Sequence, residues 1–70
     1  MALTKRERKL RLRRGAQREI AEQLGVSEGL VSLVVNGKTQ ILGKETVRTV
    51  REAIAEKIGA SVEEAFGTAA

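Results

Sequence analysis

Binary patterning along the 70-residue chain predicts five helices and no sheet. The pattern is tightest from Ala16 to Asn36, AQREIAEQLGVSEGLVSLVVN. Ile20, Ala21 and Leu24 recur at the three- and four-residue spacing that places side chains on one side of a helix. Ala21 has to be small, because a second helix crosses close to it. Gly25 ends the first of these helices, where a left-handed backbone costs any residue with a side chain energy. Val26 plugs the turn, and Ser27 is a good N-cap for the next helix. Leu30, Val31 and Val34 then face inward. The run LVSLVV is rich in β-branched residues and scores as a strand by local propensity. The capped turn and the helical spacing agree with each other and override it. Two helices joined by a short turn with glycine form a helix-turn-helix, whose second helix can enter a DNA major groove.

The flanking segments follow the same logic. Thr4 and Glu7 have capping-box spacing and open a first helix over about Lys5–Arg13. Either Leu10 or Leu12 docks it on the core while its arginines stay wet. Gly15 separates it from the second helix, Ala16–Leu24. The third runs from Ser27 to Val35, and Asn36-Gly37-Lys38-Thr39 forms the next turn. Ile41 and Leu42 close the core from the loop. A fourth helix over Lys44–Ile58 carries an apolar stripe of Val47, Val50, Ile54 and Ile58, with Ala53 beside it; Arg48, Arg51, Glu52, Glu56 and Lys57 mark its wet side. Gly59 stops it. Ser61 and Glu64 form a second capping box, opening a short fifth helix with Val62, Ala65 and Phe66. The whole is one domain, 1–70, with 1–4 and 67–70 expected to be frayed.

Composition narrows the function. The core is almost wholly aliphatic, since Phe66 is the one aromatic residue. There is no Cys and no His, which removes disulfides, thiolate zinc sites, the usual metal ligands and the usual general base. That argues against an enzyme: no catalytic residue, metal or cofactor is expected. No signal peptide or bilayer-spanning apolar run is present in the sequence, so a soluble, cytoplasmic protein is expected. The net charge of +4 is unevenly spread. Residues 1–18 hold Lys5, Arg6, Arg8, Lys9, Arg11, Arg13, Arg14 and Arg18 against Glu7 alone, while residues 19–70 hold five cations against eight glutamates. A basic segment beside an acidic domain points to a polyanion partner.

The candidate site residues divide by chemistry. The N-terminal cations, Arg13, Arg14 and Arg18 among them, would grip phosphate. Gln17, in the first turn of the second helix, would meet one phosphate together with exposed N–H groups. Ser27, Glu28, Gly29, Ser32, Leu33 and Asn36 lie opposite the apolar face of the third helix and could face a groove. Glu28 can accept from the cytosine N4 amine, or simply stabilise the helix dipole. Ser32 can contact several bases or a phosphate, Leu33 a thymine methyl, and Asn36 adenine. Gly29 would let the backbone come close to DNA. Lys38 and Thr39 read as phosphate contacts. The triplet Gly37-Lys38-Thr39 is not the end of a phosphate-binding loop, because that motif's first glycine would fall on Ser32.

Through LRRGAQREIAEQLGVS at the front and IAEKIGASVEEAFG at the back, residues 10–67 resemble the phage-repressor and Cro type of helix-turn-helix domain. In that family a glycine, a capped short helix and a Phe close a five-helix globule. The stretch from Gly25 to Gly59 is also similar to lac-repressor-type headpieces, with their Val-Ser…Val-Ser…Val-Asn pattern. Where those carry Tyr, Gln and Arg, this chain has Glu28, Gly29 and Leu33, so no operator preference carries over. No sugar-binding domain is present in the sequence, so no small-molecule inducer is implied. The resemblance implies an all-α, phage-repressor-like fold and a transcriptional regulator of bacterial or phage origin, working in the cytoplasm at the nucleoid. It would bind double-stranded operator DNA as a homodimer, on half-sites about one helical turn apart. The fourth and fifth helices, with Val62 and an exposed Phe66, would make the dimer surface. An antitoxin that represses its own operon, and a protein-interaction module on the same scaffold, are the alternatives.

Overall fold

A computed structural model describes residues 2–12 and 15–67. It is all-α, with α1 Lys5–Arg11, α2 Ala16–Leu24, α3 Glu28–Val35, α4 Lys44–Ile58 and α5 Val62–Phe66. Local chemistry sets these boundaries. The Thr4 hydroxyl accepts from the Glu7 N–H at 3.1 Å while the Thr4 N–H donates to Glu7 Oε1 at 3.2 Å. Ser61 and Glu64 form the same reciprocal pair at 3.1 and 3.3 Å. At the start of α3 the Ser27 hydroxyl accepts from the Leu30 N–H at 3.1 Å. Gly25 ends α2 with φ at 69°, which lets the Val26 N–H reach back to the Ala21 carbonyl at 3.0 Å. The end of α4 repeats this device at Gly59, where φ is 73°.

The core lies where α2, α3 and α4 meet. Ile20, Val31, Val34, Val35, Val50 and Ile54 are all fully enclosed there. Ala21 is buried among them, so the small residue sits in the packed interface as its spacing requires. The strand-like LVSLVV run is helical: Val31, Val34 and Val35 share one buried face, and that burial outweighs β-branched stiffness. Val35 extends the buried stripe beyond the three inward positions expected from the pattern.

Several expectations are corrected. The first helix ends at Arg11, with Leu12 as its cap; Arg13 and Arg14 lie outside the described residues. Leu12 is the residue that docks, whereas Leu10 is exposed. Arg8 is not wet: it is 7% exposed and buried against backbone carbonyls. Ile41 does not close the core. It is 83% exposed, and Leu42 alone turns in from that loop. The expected frayed N-terminus carries contacts: the Leu3 N–H donates to the Glu64 carbonyl at 2.9 Å and Thr4 caps α1. Gly67 is likewise tied by its N–H to the Glu63 carbonyl at 2.8 Å, while 68–70 lie outside the described residues. Phe66 is half-buried rather than an open ring. It packs on the core edge, with Arg8 Cζ 4.6 Å and Arg51 Cζ 5.2 Å from its centroid.

Candidate nucleic-acid interface

The turn between α2 and α3 leaves the first residues of α3 outward. Ser27, Glu28 and Gly29 are exposed; Ser32, Leu33 and Asn36 are half-buried. These positions form one continuous strip beside the buried Val31, Val34 and Val35 face. Gly29 is unusual on it. A Cβ there would meet nothing nearer than the Ser27 hydroxyl at 4.0 Å, and its backbone is ordinary helix. Packing and conformation therefore do not ask for glycine, although its cost at the second position of α3 is smaller than the roughly 1 kcal/mol of a helix interior. Gly25, with its left-handed φ, is the opposite case.

Asn36 is partly committed to its own helix. Its amide Nδ2 donates to the Ser32 carbonyl at 2.8 Å and lies 3.4 Å from the Ser32 hydroxyl. Reading adenine through donor and acceptor together would require that amide to swing away. Beyond it, Gly37 adopts φ 76° and the Lys38 N–H closes α3 on the Leu33 carbonyl at 2.9 Å. The Lys38 side chain is left exposed, immediately past the outward strip.

Gln17 is half-buried in the first turn of α2, and Arg18 beside it is exposed. Arg18 Nε is 3.3 Å from Glu22 Oε1 in a pair open to water, which is worth little and yields readily to a stronger anion. Of the N-terminal cations, Lys5, Arg6, Lys9, Arg11 and Arg18 are exposed, Arg8 is spent inside the fold, and Arg13 and Arg14 lie outside the described residues.

Thr39 opens onto a groove that the patterning of α3 does not disclose. With Leu42, Lys44, Val47, Arg48, Arg51 and Val62 it lines this groove of about 390 Å³. Lys44, Arg48 and Arg51 follow i, i+4, i+7 spacing, so their shared face was there to be read from α4 alone. On another side of α4, Glu52, Glu56 and Lys57 line a second groove against Gln23 and Leu24 of α2. Lys57 Nζ reaches Glu19 Oε2 there at 2.7 Å, tying α4 to α2. That hydrogen bond, and then the charge behind it, hold the Glu19 carboxyl below its ordinary value. A depressed carboxylate favours folding above its unfolded pKa, and that contribution is lost as pH falls through the folded one.

Among the described residues no helix is long and apolar enough to cross a membrane. No group of three His, Cys, Asp or Glu that could hold a metal is found among them either. Comparison of the chain with protein-family models, curated proteins and solved structures found no match.

Proposed function

We propose that this chain is a sequence-specific DNA-binding transcriptional regulator that lays α3 against the base edges of operator DNA in the major groove. The observation that carries the reading is the outward strip Ser27, Glu28, Gly29, Ser32 and Leu33 on a capped helix, with a glycine at its centre that the fold does not require. A bare Cα lets backbone approach a ligand closely. Exposed cations on α1 and α2, together with Lys38, supply phosphate contacts on either side in sequence. Arg13 and Arg14 join them in this reading.

The protein works as a homodimer, since a strip without Arg or Gln reads few bases and two half-sites multiply the discrimination. Phe66 supports that pairing less than its sequence position suggested, because Arg8 and Arg51 already flank it. Val62 stays half-buried at the start of α5, and Ile41 is exposed apolar surface on the loop before α4.

A titration of duplex DNA with the protein at rising salt tests the reading. Neutralising several phosphates releases counterions, so affinity should fall by roughly 100-fold or more between 50 and 200 mM salt. Affinity that stays constant over this interval would remove the phosphate contacts, and the DNA reading with them.

A further inference from the structure

The N-terminal cation run contains one member that behaves unlike the rest. Arg8 Nε donates to the Val35 carbonyl at 3.0 Å, and Nη1 donates to the carbonyls of Leu3 at 2.8 Å and Ala65 at 2.9 Å. Its guanidinium also lies over the Phe66 ring. One side chain thus joins the segment before α1, the last residue of α3 and the last turn of α5. No carboxylate among the described residues pairs with it; its acceptors are backbone carbonyls. A cation at the end of α3 also meets the negative end of that helix dipole.

We infer that Arg8 is a positioning residue for α3: it touches no DNA, yet fixes the end of the helix and holds it in register with the exposed cations of α1. The inference rests on the DNA-binding reading above and deepens it. Val35 belongs to α3 itself, so the bond to its carbonyl acts on the proposed reading element directly. The bonds to Leu3 and Ala65 fasten the same guanidinium to both ends of the domain, and the Leu3 N–H to Glu64 bond closes that clasp. α1 carries Lys5, Arg6, Lys9 and Arg11 on its outer side. Their placement relative to Ser27–Leu33 therefore depends on Arg8. A lysine keeps the charge but lacks the planar fork that serves several carbonyls at fixed angles.

The test compares wild type with Arg8→Lys, which keeps charge and most of the packing, and with Lys9→Met, which removes an exposed cation. All three are confirmed folded by circular dichroism at low temperature before duplex DNA is titrated at several salt concentrations. Arg8→Lys should weaken binding by about tenfold with the salt slope of wild type, whereas Lys9→Met should reduce the slope by about 0.9. Folded Arg8→Lys protein that binds as tightly as wild type overturns the inference, and so does a slope reduced like that of Lys9→Met. Should wild type itself not bind duplex DNA, the DNA reading fails, and amide exchange decides the positioning role separately. Faster exchange at Val35, Asn36 and Gly37 in Arg8→Lys, with the α2 and α4 core amides unchanged, supports it; identical exchange overturns it.

Discussion

Ile54→Ala lowers stability by about 2–5 kcal/mol and leaves much of the protein unfolded at room temperature. Ile54 is completely enclosed in the cluster that also holds Ile20, Val31, Val34 and Val50. Removing its outer carbons loses their transfer free energy and opens a cavity that β-branched neighbours, stiff at χ1, fill poorly. A domain of 70 residues has one such core and only about 3–5 kcal/mol to lose. Thermal melts followed by circular dichroism should place the variant's midpoint on the order of 10–40 °C below wild type. Ile41→Ala is the control, since Ile41 is 83% exposed and should shift stability by about 0.5 kcal/mol or less. Equal effects at the two positions would mean that the core is not where α2, α3 and α4 meet.

Arg8→Met costs about 2–4 kcal/mol, although it replaces a charged residue in a cluster of like charges. Methionine retains the apolar stem about as far as the position of Nε, and the guanidinium that lies over Phe66 is lost with the charge. What disappears is the donor set for the carbonyls of Leu3, Val35 and Ala65, two of which are bonded in buried surroundings. A buried acceptor left without its donor bears its desolvation cost alone. Burial, and then the nearby positive charge of Arg51, lower the Arg8 pKa, so those hydrogen bonds must also offset the cost of enclosing the charge. Urea unfolding of Arg8→Met beside Arg6→Met measures this. Arg6 is exposed, and its variant should stay close to wild type or gain slightly from reduced repulsion. A similar small change in both variants would reduce Arg8 to one more surface cation.

The two substitutions separate what the sequence discloses from what it hides. The bounds of α2 and α4 are legible because each has a regular apolar stripe and a glycine stop whose backbone requirement is local. The helical state of α3 is legible against its strand-like composition because Ser27 and Gly25 fix the turn in front of it. Arg8 is not legible in this way. It stands in a run of cations, and what distinguishes it lies at Val35 and Ala65, 27 and 57 residues away in sequence. Phe66 follows from the same cause, since the arginines that flank it come from α1 and α4. Ile41 and Leu42 are adjacent apolar residues in a loop without periodicity, so no pattern says which one turns inward. At the candidate site, the outward strip of α3 was readable as the complement of its buried stripe. The hydrogen bond of the Asn36 amide back to the Ser32 carbonyl was not, because the side chain selects its partner only once the helix has formed. The basic groove around Thr39 was readable in its α4 part and unreadable where the loop and Val62 complete it.

In the proposed function the outer strip of α3 lies against paired bases. Adding duplex DNA to isotope-labelled protein and following its amide resonances tests it most directly. The largest shifts are expected at Gln17, Arg18, Ser27, Glu28, Gly29, Ser32 and Leu33, with the core amides of α4 little changed. Shifts confined to the groove around Thr39, Arg48 and Val62, with Ser27–Leu33 unmoved, would contradict it.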